Sequence, residues 1–172
     1  MKQQRFRILI CDTDVETLIG LERMLEDAGF DTTTTWDVTD LTRCSECDFF
    51  HLLIVGDHPP QMDAEAILKD LRGKDLRGID VSCVVLKWDV SACDSERLRS
   101  AGTTAVVSRR NYASILEQAK ACLGGYPKCG RRVKTEHSIE CAKGPHENTM
   151  CNFVKSWKRV RSRFGLRPLI MS

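Results

Sequence analysis

The sequence predicts a doubly wound α/β domain, a five-stranded parallel sheet covered on both faces by helices, followed by a basic C-terminal extension. A short unbroken apolar run lies at 52–55 and largely apolar segments lie at 7–11 and 81–86, as expected of strands buried on both faces. Segments whose apolar residues recur at three- to four-residue spacing separate them. The first strand runs into Asp12-Thr13-Asp14 and the third into Gly56-Asp57-His58-Pro59-Pro60, residues that cannot extend a strand. Acidic and flexible residues therefore gather at the carboxyl ends, where open α/β sheets build their sites.

In chain order, residues 7–11 form the first strand, and Asp14 caps a helix whose apolar face is Val15, Leu18, Leu21 and Leu25. Gly29 stops that helix in the position just past the cap. The β-branched stretch from Thr32 to Trp36 is the second strand, and residues 38–47 read as a weak helix or loop. After the strand at 52–55, Asp63 caps a helix with Ala66, Ile67 and Leu71 inward, ended by Gly73. Val81 to Leu86 is the fourth strand, Ser91 to Ser100 the fourth helix, closed by Gly102, and Thr104 to Val107 the fifth strand. Asn111 caps the last helix, with Ile115, Leu116, Ala119, Cys122 and Leu123 as its stripe, broken at Gly124-Gly125-Tyr126-Pro127. Right-handed crossovers between parallel strands then place helices on both faces.

The totals fit one domain and an appendage. Of 172 residues, 42% are hydrophobic and 29% charged, and the formal net charge of +2 hides an asymmetry. Residues 1–125 hold 15 Lys and Arg against 21 Asp and Glu, whereas residues 126–172 hold 11 against 3. An acidic globular part followed by a basic tail suggests separate jobs. The N-terminus has no signal-peptide core, and no stretch approaches the roughly 18 apolar residues of a membrane span, so the expected location is cytoplasmic. Nine cysteines, an odd number, in a reducing compartment suggest thiols or a metal site rather than a disulfide framework.

Residues 5–124 resemble the receiver domain of two-component response regulators (CheY-like). The resemblance rests on Ile8-Leu-Ile-Cys-Asp-Thr-Asp14, Ala28-Gly-Phe30, Leu52 to Pro60 with Met62-Asp63, and Ala101-Gly-Thr103. It implies a flavodoxin-like strand order, 2-1-3-4-5, and a role in phosphorelay signalling with partners such as a histidine kinase or a regulator output domain. It also implies that the α4–β5–α5 face, residues 91–123, is a surface for partners or for homodimerisation.

Receivers take a phosphoryl group onto an aspartate ending the third strand, with an acidic pair holding Mg²⁺ and a Ser/Thr hydroxyl and a Lys stabilising the transferred group. This sequence departs from that pattern at most positions. The acceptor position is Gly56, and the acidic pair falls on Asp12 and Thr13, with Asp14 one place on. The hydroxyl position is Lys87, the lysine position Arg109, the following proline Arg110, and the aromatic position three before the basic residue Val106. The expected pocket is thus Asp12, Thr13, Asp14, Gly56, Asp57, Lys87 and Arg109, with Asp12 and Asp14 as the Mg²⁺ candidates. Asp57 is the candidate substitute acceptor if Gly56 lets the backbone turn; otherwise it caps the next loop or pairs with a basic residue. Lys87 and Arg109 bring permanent positive charge that can pair with the carboxylates in place of Mg²⁺. The leading expectation is a degenerate, pseudo-receiver module that is not an enzyme and acts through protein–protein interaction without normal aspartate phosphorylation. The alternatives are a phosphorylatable receiver using Asp57 and a nucleic-acid-binding regulator acting through a basic C-terminal helix.

The tail carries its own expectations. Residues 125–148 read as a linker. Cys141, His146 and Cys151 have half of a zinc-knuckle spacing, with Ser138 where the first half needs cysteine, so Zn²⁺ is a tail possibility beside free thiols. Residues 149–165 read as a basic amphipathic helix, apolar along Met150, Phe153, Val154, Trp157 and Val160. Lys155, Lys158, Arg159, Arg161 and Arg163, with Trp157, are its candidate contacts to nucleic acid or a partner. The tail is too short for a helix-turn-helix pair.

Overall fold

The structure is a computed structural model, and it describes residues 5–73 and 81–124. The linker, the zinc half-site and the basic helix expected beyond residue 124 lie outside the described residues.

β1 (Arg7–Cys11), β2 (Asp31–Thr35), β3 (Leu52–Gly56), β4 (Ser82–Lys87) and β5 (Ala105–Ser108) form a five-stranded sheet in the order β2-β1-β3-β4-β5. Every pairing is parallel. The helices are α1 (Val15–Asp27), α2 (Val38–Cys47), α3 (Ala64–Gly73), α4 (Ala92–Ser100) and α5 (Tyr112–Gly124). No helix among the described residues is long and apolar enough to cross a membrane.

Strand alternation divides the core in two. Ile8, Ile10, Leu52, Ile54, Val84, Leu86 and Val107 face Leu18, Leu21 and Leu25 of α1 and Ile115, Ala119 and Leu123 of α5. Leu9, Cys11, Leu53, Val55, Cys83 and Val85 face Leu41 of α2, Ile67, Leu68 and Leu71 of α3 and Leu98 of α4. Cys11 and Cys83 serve here as small apolar residues, and burial pushes both thiols up to about 12, far from reactive thiolates.

The caps explain most boundaries. Asp14, Asp37 and Ser91 accept from backbone amides at the starts of α1, α2 and α4, and Asn111 accepts from Ser114 N–H at the start of α5. Gly29 (φ +93°) and Gly102 (φ +97°) take the left-handed conformation that ends α1 and α4. Strand boundaries differ from the sequence reading by one residue at most: β2 lies one residue earlier at both ends, β3 gains Gly56, which still pairs with Leu86, and β4 and β5 each start and end one residue later. Trp36 leaves β2 because Asp37 turns the chain into α2. β4 runs on to Lys87 and β5 to Ser108 because those two residues still pair. Residues 38–47, read as a weak helix or loop, are a helix.

Candidate functional site

Carried one step past the strands, the same alternation sorts the side chains at the carboxyl edge. Asp12 continues the face of Ile10, Gly56 that of Ile54, and Arg109 that of Val107, so all three lie on the α1–α5 side. Asp57 continues the face of Val55 and Lys87 that of Val85, on the α3–α4 side. The polar contacts follow this division, so the residues expected in one pocket form two groups.

The first group centres on Arg109, which is 3% exposed, and Asp12, which is fully buried. Arg109 Nη2 donates to Asp12 Oδ2, and the Asp14 N–H donates to Asp12 Oδ1 at 2.8 Å. Arg109 Nη1 also lies 3.9 Å from Asp14 Oδ2. Nη2 approaches His58 Nδ1 at 3.3 Å; a guanidinium only donates, so this contact assigns the imidazole proton to Nε2, which is hydrogen-bonded to Thr13 Oγ1. Burial pushes the Asp12 carboxyl up, opposed by the Asp14 amide and the Arg109 charge. The Thr17 hydroxyl, then the Glu16 amide and Arg109, hold Asp14 below the usual carboxylate range against a smaller effect of burial.

Gly56 lies directly beneath this pair. A Cβ there would stand 2.5 Å from Asp12 Oδ2 and 2.9 Å from Arg109 Nη2. No side chain fits at the acceptor position while the pair is closed. The half-exposed Trp88 covers the arginine, its ring centroid 4.7 Å from Arg109 Cζ and 5.3 Å from Arg110 Cζ. Arg109 Nε, also buried, has no hydrogen-bond partner among the described residues.

The second group centres on Asp57, whose side chain is fully buried. Its Oδ1 accepts from Ala64 N–H at 3.1 Å, capping α3 alongside Asp63, which accepts from Glu65 and Ala66. Its Oδ2 accepts from Lys87 Nζ at 3.1 Å. The possibility that Gly56 turns the backbone to bring Asp57 into the acceptor position is not what the structure has: Asp57 N–H donates to Leu86 O at 2.8 Å, continuing the strand pattern, and the carboxylate points to α3. Val106, at the aromatic position, packs partly buried against the α2–α4 side of the core.

A magnesium ion does not suit the first group. Both Asp12 oxygens are taken, the Asp14 carboxylate already accepts from the Thr17 hydroxyl and the Glu16 amide, and glycine supplies no third carboxylate. A divalent cation would also stand against a buried guanidinium.

The strand order and helix placement define the CheY-like receiver fold of response regulators. The chain is similar to a chemotaxis protein, CheY4, of Vibrio cholerae, with a TM-score of 0.64, 17% identity, and coverage of 70% of this chain and 100% of that one. A CheY-like response regulator receiver domain protein from Methanospirillum hungatei JF-1 gives 0.63 at 24% identity over 70% and 95% of the two chains. The signal receiver domain of a signal transduction histidine kinase from Syntrophus aciditrophicus gives 0.61 at 23% over 80% and 99%. No protein-family model and no curated protein sequence matches the chain.

Register against that family already exposed Gly56 and Arg109 as departures in the sequence. The parting of Asp57 and Lys87 from Asp12 had a signal too, the two-residue period continued past the strand ends. The cover formed by Trp88 had none, because it depends on how the loops after β4 and β5 meet.

Proposed function

We propose that this chain is a receiver-like module of phosphorelay, two-component signalling that works by binding another signalling protein, without aspartyl phosphorylation and without catalytic turnover of its own. The observation that carries the reading is the Arg109–Asp12 pair closed over Gly56. Phosphoryl transfer onto a receiver needs a carboxylate nucleophile, a metal to neutralise the phosphoryl oxygens, and donors aimed at the transferred group. Here the nucleophile position has no side chain, and the resident cation is an arginine already engaged with the acidic residue. Asp57, the nearest alternative nucleophile, spends both oxygens on Ala64 and Lys87. Similarity in fold to a chemotaxis protein and to the receiver domain of a histidine kinase supports a partner of the signalling class, a kinase or an output domain. Residues 91–123 are the surface proposed for that partner or for a second copy.

The test is intact-mass spectrometry after incubation with Mg²⁺ and a small-molecule phosphodonor. The expected result is no phosphoryl adduct. A stoichiometric adduct that vanishes in Asp57→Asn would overturn the reading in favour of phosphorylation at Asp57.

A further inference from the structure

Helix α4 poses an anchoring problem. Its sequence, Ala92-Cys-Asp-Ser-Glu-Arg-Leu-Arg-Ser100, buries Leu98 alone, whereas α1 buries Thr17, Leu18, Leu21, Glu22 and Leu25. A single apolar side chain fixes one point of a helix and leaves its rotation and its N-terminal turn free. The remaining attachments of its first two turns are charged. Lys87 Nζ, at the end of β4, lies 3.1 Å from Asp57 Oδ2 and 3.3 Å from Asp94 Oδ1 of α4. Arg97 of α4 reaches Glu65 Oε2 of α3 at 2.7 Å and lies 3.9 Å from Asp57 Oδ2. Glu65 also takes Lys69 Nζ at 2.6 Å.

We propose that these residues form an ionic clamp, centred on Asp57 and Lys87, that fixes α4 against α3 and the ends of β3 and β4 and so sets the position of its outer face. The central pair is shielded, with the Asp57 side chain fully buried and that of Lys87 15% exposed, so its attraction is poorly screened and loss of either partner leaves a buried charge uncompensated. The outer pairs, on Arg97 and Lys69, are exposed and contribute little each. Burial works against the Lys87 ammonium, yet the hydrogen bonds and charges of Asp57 and Asp94 outweigh it and raise its pKa. A basic residue at the end of β4 thus acts as a positioning residue for α4. The clamp stands on the geometry of Asp57 and Lys87, and the phosphodonor measurement neither supports nor sinks it.

Hydrogen exchange read by mass spectrometry on the full chain tests the clamp. Lys87→Met removes the central cation. Because that change leaves the Asp57 charge buried, a second variant, Asp57→Asn/Lys87→Met, removes both charges while the asparagine oxygen can still accept from Ala64. In both variants the amides of 92–101 should exchange about tenfold faster or more, with α1 and α5 unchanged, as expected when one element opens locally. Unaltered exchange over 92–101 in both variants would overturn the clamp. So would a uniform acceleration across the domain, which would mean that the pair supports global stability and does not place α4.

Discussion

Gly56 and Arg109 hold the site between them. A methyl group at position 56 would press on charged atoms that are themselves hydrogen-bonded, so Gly56→Ala should destabilise the domain by about 1–3 kcal/mol, as overpacking does. The stiffer unfolded chain offsets this by only about 0.4–1 kcal/mol. Denaturant unfolding measures the net effect. Arg109→Ala is expected to be worse, about 3–5 kcal/mol, because it leaves a buried carboxylate unpaired. Arg109→Lys should recover only part of that, since an ammonium cannot span Asp12, Asp14 and His58 as the guanidinium does. His51 gives a pH dependence of its own. Burial, together with the Arg7 charge, lowers its pKa, and its Nδ1 accepts from Arg7 N–H at 3.0 Å. The neutral form is therefore favoured on folding. Its contribution is complete above the unfolded-state value of about 6.5 and is lost as pH falls from there through the lower folded-state value. Comparing unfolding free energies at pH 8 and pH 5.5, wild type should lose more stability on acidification than His51→Gln, whose amide oxygen keeps an acceptor facing Arg7; equal losses would contradict this.

At the scale of elements, α2 shows why propensity left helix and loop both open. Val38 to Cys47 contains threonine, serine and aspartate, poor helix formers, and no continuous apolar stripe. It is nonetheless a helix, because Asp37 caps its start and the fully buried Leu41 anchors it, with Val38 and Cys44 packed beside. Tertiary packing overrides weak intrinsic preference here. Asp37→Ala is expected to cost about 0.5–2 kcal/mol, and Leu41→Ala about 2–5 kcal/mol, by thermal or denaturant unfolding. The strands were far more legible. β1, β3, β4 and β5 are largely apolar and β2 is a run of β-branched threonines, so the boundaries moved by one residue at most. What the runs do not contain is strand order, since every buried run looks alike from the sequence. The order 2-1-3-4-5 came from the family resemblance.

For the whole molecule, the sheet delivers residues to its carboxyl edge on two faces, and this chain uses them differently. On the α1–α5 face a cation and an acid close over Gly56, the position at which receiver domains carry their reactive aspartate. On the α3–α4 face a carboxylate that resembles a displaced phosphoacceptor is bound up in a helix cap and an ion pair. Sequence reasoning found the ingredients, because register exposes missing carboxylates and extra cations. For Asp57 it left two places open, turned inward by Gly56 or capping the next segment and pairing with a basic residue, and the second is the geometry found; Lys87 was grouped with Arg109 because the alternation was not carried past β4. Arg109, paired with Asp12, is the resident cation of the site, where a metal would otherwise sit. Mn²⁺ binding followed by electron paramagnetic resonance, with Mn²⁺ as probe for the divalent site, tests it most directly. Wild type is predicted to bind no Mn²⁺ through Asp12 up to millimolar concentrations, while Arg109→Ala gains a site that is lost again in Arg109→Ala/Asp12→Asn. Stoichiometric binding to wild type that Asp12→Asn abolishes would contradict the account.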